Sequence, residues 1–288
     1  MKPTKQNLML FNGAAALLIG ASLVYAVRSL LFSEAIPPCS ERYPRAVQMA
    51  LESGGRPVAA ADLQARATGS DWSLLERTEV VKVTAGPAKY AVRVDLAAAG
   101  AENNSREGAG FIWAPRAMKA TTAACLAYSA FLADGFQFGG GGRLPGLMGV
   151  FGDGAAPSEA SGRNPQPEAA PTSFSTSAGW KEDGIGDVVP LGPNLTLLLR
   201  GGYSKFEMPR GKWVRLEQEV VLGEPGNDDG FVRLWLDGEL VLDGTLMNSQ
   251  KSAAITGVLS EVVLPGQKVD PKAKNQKVSV SPYVVYWK

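Results

Sequence analysis

Beyond residue 72 the chain alternates apolar and polar residues with a period of two. KYAVRVDL sets Tyr90, Val92, Val94 and Leu96 on one side, with Arg93 and Asp95 opposite. WVRLEQEVVL repeats the pattern: Val214, Leu216, Gln218 and Val220 oppose Arg215, Glu217 and Glu219. FVRLWLDGELVLD predicts a hairpin that turns at Asp237-Gly238. Further strands are expected at 79–84, 124–132, 172–180 and 195–200. VSVSPYVVYW forms a last one, with Pro282 marking an edge or a bulge. There Tyr283 and Trp287 share a face, which is assigned to the core, and Tyr286 lies opposite. Many short strands without a long helical pattern predict an all-β antiparallel sandwich.

The start of the chain follows another pattern. Lys2 and Lys5 precede a run from Leu8 to Val27 that contains no charged residue. About 20 apolar residues span a bilayer, whereas a cleavable signal has a shorter core. Residues 1–35 are therefore expected to form a signal anchor, a single transmembrane helix, although Ser33-Glu34-Ala35 offers a cleavage site. The two lysines predict that the bulk of the chain is periplasmic or extracellular. Residues 36–71 are weakly patterned and are expected to be a stalk, with a short helix at 44–53 ended by Gly54-Gly55. The domain proper is expected at 72–288, interrupted at 152–171 by a Pro/Ala/Gly/Ser-rich inserted loop.

Composition narrows the chemistry. The chain of 288 residues has no histidine, which excludes Ser-His-Asp triads, histidine zinc sites and histidine acid/base catalysis. A net charge of +1 offers no field for nucleic acid. No cofactor or metal is expected. The acidic group Glu224, Asp228 and Asp229 lacks calcium-loop spacing and fits a turn. Cys39 and Cys125 suit an oxidising compartment; one disulfide and two buried thiols both fit the sequence.

The candidate site is split between FQFGGGGRLPGLMGVFG at 136–152 and TSFSTSAGWKEDG at 172–184. The glycine run precedes no helix, so it is not a phosphate loop. Gly141 and Gly142 could instead let a bulky ligand approach the backbone. Alternation puts Ser173, Ser175, Ser177, Gly179 and Lys181 on one face, a hydroxyl-rich surface suited to a solvent-filled groove.

These segments, together with RGKWVRLEQEVVLGEPGNDDGFVRLWLDGELV and the closing SPYVVYW, resemble polysaccharide lyase family 14. The resemblance covers roughly residues 75–288. It implies a concanavalin A-like jelly roll and β-elimination on uronate chains. The family's lysine before Leu-Pro-Gly corresponds to Arg143, its strand serine to Ser175, its strand arginine to Ser177, and its tyrosine pair to Val189 and Leu191. Arginine stays protonated and cannot take the proton, yet it can grip a carboxylate. Arg143, Ser175 and Lys181 are thus the catalytic candidates, with Tyr128, Tyr203 and Tyr283 as substitute bases. Gly141, Gly142, Arg143, Ser175, Ser177 and Lys181 are the candidate binding residues. The expected function is recognition of an acidic polysaccharide with weak or no cleavage. The alternatives are an active lyase for another uronate polymer, and a structural envelope protein with a protein partner.

Overall fold

The computed structural model describes residues 36–67, 71–96, 107–152, 173–192, 195–199, 206–248, 252–264 and 276–288. The segment 1–35, expected as an anchor, lies outside them. So does the inserted loop, apart from Gly152. No helix among the described residues is long and apolar enough to cross a membrane.

The strands are β1 (Arg45–Gln48), β2 (Glu52–Ser53), β3 (Arg56–Pro57), β4 (Asp71–Trp72), β5 (Thr78–Lys82) and β6 (Tyr90–Asp95). They continue with β7 (Glu107–Trp113), β8 (Ala123–Leu132), β9 (Gly142–Phe151), β10 (Ser173–Trp180), β11 (Gly186–Leu191) and β12 (Leu195–Leu199). The rest are β13 (Trp213–Val221), β14 (Gly230–Leu236), β15 (Glu239–Asn248), β16 (Ala253–Leu264), β17 (Lys277–Val280) and β18 (Val284–Trp287). Two short helices, α1 (Ala60–Arg66) and α2 (Leu74–Arg77), lie between β3 and β5. A ten-stranded sheet runs β12-β15-β14-β13-β8-β17-β6-β5, with β18 paired to β8 and β1. A six-stranded sheet runs β11-β10-β9-β16-β7-β4. All pairings within the two sheets are antiparallel, as the alternating pattern predicts.

The core fills the space between the sheets. Val92, Val94, Leu216 and Val220 meet Leu144, Leu147, Phe174, Val258 and Val262 in one cluster. Three polar bonds cross it. Tyr128 donates from its hydroxyl to the Pro145 carbonyl at 2.9 Å, Gln218 Oε1 accepts from the Leu147 N–H at 3.2 Å, and Ser260 and Tyr283 share a hydroxyl bond of 2.6 Å. Pro145 sits inside β9, an interior strand, where proline removes a ladder donor. The register of β9 shifts here against both β10 and β16. Such a bulge turns backbone groups out of the ladder, and Tyr128 and Gln218 satisfy them from the facing sheet.

Residues 36–71 do not stand off as a stalk: Met49, Leu51, Val58 and Leu63 enter the core. The helix expected at 44–53 is replaced by β1, because Arg45–Gln48 find backbone partners in Val284–Trp287. Cys39 and Cys125 form a disulfide. It staples a strap, residues 39–43, onto the outer face of the ten-stranded sheet. Ser40 donates from its N–H and hydroxyl to Glu217, both at 2.9 Å. Arg42 and Tyr43 reach Glu219 at 2.6 and 2.8 Å, and Arg42 lies over the buried Trp235 ring. The Asp237-Gly238 turn forms as expected, with positive φ at both residues, as a tight hairpin requires.

Candidate functional site

Strand alternation divides the six-stranded sheet cleanly. Phe174, Ala178 and Trp180 of β10 belong to the inter-sheet core, so Ser175, Ser177 and Gly179 face outward. Register then fixes their neighbours. Ser175 lies between Met148 and Leu191, Ser177 between Gly146 and Val189, and Gly179 between Arg143 and Asp187. The five positions that the family resemblance singled out, Arg143, Ser175, Ser177, Val189 and Leu191, therefore share three adjacent rows of one sheet face. On the same face β16 contributes Glu261 and Leu259, and β7 contributes Ile112 and Gly110.

Arg143 is buried, and its Nε donates to Glu261 Oε1 at 2.6 Å. Glu261 is 0% exposed. Lys181 lies just past β10, largely exposed, with Nζ 3.3 Å from Asp187 Oδ2. Ser175 and Ser177 are each 0% exposed, and neither hydroxyl has a hydrogen-bond partner. The solvent-filled groove expected from the serine alternation is thus a buried face. Ile112, Met148 and Leu259 form a small apolar cluster on it, and Trp72 packs against them. The Trp72 ring occupies the space that a Cβ on Gly110 would need, and its Nε1–H has no partner.

The glycines divide by role. Gly146 lies flat between strands: a Cβ there would stand 1.9 Å from the Thr176 carbonyl oxygen. Gly141 (φ +109°) closes the turn into β9, donating to the Phe138 carbonyl at 3.1 Å. Gly142 makes room for the Trp180 ring on the core side, since a Cβ would meet that ring at 2.1 Å. Of these two residues, expected beside a ligand, Gly142 lies against the Trp180 ring and Gly141 against the backbone of Trp180 and Lys181.

Two of the substitute bases are on the wrong side of the sheet. Tyr128 and Tyr283 are buried in the inter-sheet core, where burial pushes both phenols above their usual range. Each is already hydrogen-bonded there. Tyr203 lies outside the described residues. At the face itself, the Val189 position supplies neither donor nor acceptor, serine is too weak a base, and a guanidinium is a donor only. The face can accept and donate hydrogen bonds; among its described residues, Glu261 is locked to Arg143 and Lys181 to Asp187. Sequence reasoning missed Glu261, Asp187 and Trp72. Glu261 alone carried a signal, as the single charge in the apolar run AAITGVLSEVVL.

The family model described as Polysaccharide lyase 14 matches residues 85–194. No curated protein sequence matches the chain. Among solved structures, a marine PL-14 alginate lyase from Aplysia kurodai is similar with a TM-score of 0.56 at 18% identity, covering 76% of this chain and 89% of that one. Alginate lyase Aly36B gives a TM-score of 0.56 at 13% identity, over 85% of this chain and 98% of its own. Alginate lyase vAL-1 from Chlorella virus gives 0.53 at 17% identity, over 80% and 96%. At these identities the likeness is one of fold.

Proposed function

We propose that this chain is a non-catalytic relative of the polysaccharide lyase 14 family, whose model matches residues 85–194, and that it holds polysaccharide without cleaving it. One observation carries the reading. The sheet register brings Arg143, Ser175, Ser177, Val189 and Leu191 together on one face, and none of the five residue types is a proton acceptor suited to β-elimination. What the face keeps is hydrogen-bonding capacity: two buried hydroxyls lack partners. A buried polar group without a partner costs free energy that a ligand hydroxyl can recover. Because Ser175 and Ser177 are fully buried, binding requires this face to open. The Cys39–Cys125 disulfide supports an oxidising compartment. An anchor in residues 1–35 would keep the protein at the outer side of a membrane.

The test uses the full chain in detergent. Incubation with alginate and with polyglucuronate should produce no unsaturated uronate ends by ultraviolet absorbance, while a glycan array or affinity gel should show retention. Turnover on either polymer would overturn the non-catalytic reading. A competing reading, a structural envelope domain that holds no sugar, is favoured by the complete burial of Ser175, Ser177 and Glu261. Retention on no glycan, with co-purification of a protein partner, would decide for it.

A further inference from the structure

The outer face of the six-stranded sheet carries its own carboxylates. Arg143 projects from β9 and Glu261 from β16, the neighbouring strand, and they meet at 2.6 Å. Lys181 and Asp187, at the far end of the Gly179 row, form the second pair. Arginine binds a carboxylate through charge-assisted hydrogen bonds. The contact that a uronate would make with Arg143 Nε is therefore already made from within the chain. Displacing Glu261 would break a charge-assisted bond between two buried groups, which is unfavourable.

The remainder of the face has a different chemistry. Ser175 and Ser177 each offer one donor and two acceptor sites, all unused. Trp72 offers an aromatic plane and an unpartnered N–H, and Ile112, Met148 and Leu259 lie against it. Hydroxyl groups opposite hydroxyls, and C–H faces opposite an indole, describe an uncharged sugar ring. We infer that Glu261 sets the specificity of this face: by holding Arg143 it excludes uronates and selects a neutral, hydroxyl-rich polysaccharide. The inference rests on the sugar-holding reading above and departs from the acidic ligand that the family resemblance implies.

The test compares one oligosaccharide with and without its charge. Alginate tetrasaccharide and its carboxyl-reduced counterpart, in which each uronate becomes a neutral hexose, are titrated into the full chain by calorimetry. The native protein should bind the reduced sugar at least about tenfold more tightly than alginate. Glu261→Gln removes the internal carboxylate charge and should improve alginate binding by about tenfold. The double variant R143Q/E261Q has no guanidinium to unmask and should gain no alginate affinity. Tighter binding of alginate by the native protein, unaltered by E261Q, would overturn the inference and leave the sugar-holding reading intact. If E261Q fails to fold, the preference of the native protein decides alone. Binding of neither sugar by the native protein or any folded variant would overturn both.

Discussion

Cutting the Cys39–Cys125 bond is the most direct probe of how the amino-terminal strap is held. The bond spans a sequence separation of 86. Closing a loop of that size removes about 15 cal/mol/K of chain entropy from the unfolded state, which is about 4.6 kcal/mol at 25 °C. The strap has other holds in the folded state. Ser40 bonds Glu217, Arg42 and Tyr43 bond Glu219, and Met49 and Leu51 are core residues. The doubly substituted protein C39S/C125S should therefore remain folded, with the loss falling almost wholly on the unfolded side. For a domain of this size the melting temperature should drop by roughly 9–18 °C. The assay is thermal unfolding of the full chain followed by near-ultraviolet circular dichroism, native against C39S/C125S, with reductant added to the native protein as a second route. A drop below about 3 °C by both routes would refute the reasoning, because loop closure at this separation could not then be a main stabilising term.

Other outcomes follow from the same geometry. Glu261→Ala takes its carboxylate away from the buried Arg143 guanidinium and should destabilise the fold by about 3–5 kcal/mol, whereas the apolar double replacement R143M/E261L should come within about 1–2 kcal/mol of native; urea midpoints distinguish them. Gly146→Ala drives a Cβ to 1.9 Å from the Thr176 carbonyl and should cost about 1–3 kcal/mol, read as a lowered melting temperature. Tyr43, Tyr128 and Tyr283 all have phenols raised by burial, so their neutral forms are favoured in the folded state. Their stabilising contribution is complete below the unfolded value near pH 10 and is lost as pH rises through the folded values. Stability should be level up to about pH 10 and then fall by up to about 4 kcal/mol per pH unit as unfolded tyrosines ionise; urea midpoints measured above pH 10 check it, and Tyr128→Phe should reduce the slope by about one third.

Strands with apolar side chains on one face and charged ones on the other were legible in the sequence because their pattern has one cause. β6 and β13 show core on one side and charge on the other, and the Asp237-Gly238 turn follows from backbone geometry alone. Strands whose two faces are both apolar show no alternation. GLMGVF in β9, GAGFIW in β7 and GVLSEVVL in β16 are buried on both sides, and the glycines that let sheet and ring pack closely look like turn residues from sequence. β1 was hidden for another reason: its partner, β18, lies at the opposite end of the chain, so local propensity favoured a helix. Within the site, Arg143, Ser175 and Ser177 were legible through the motif that contains them. The Arg143–Glu261 pair was not, since the partners are separated by 118 positions and no local rule links them.

The strap and the candidate face lie on opposite outer surfaces of the sandwich. Tension applied at Pro37 would pass through the Cys39 sulfur into the first part of β8, at Cys125, and spread across the ten-stranded sheet. β10 and β11, on the other sheet, would carry none of that load directly. A domain wired in this way can be tugged by whatever holds its amino terminus while the spacing of its serine rows stays unchanged.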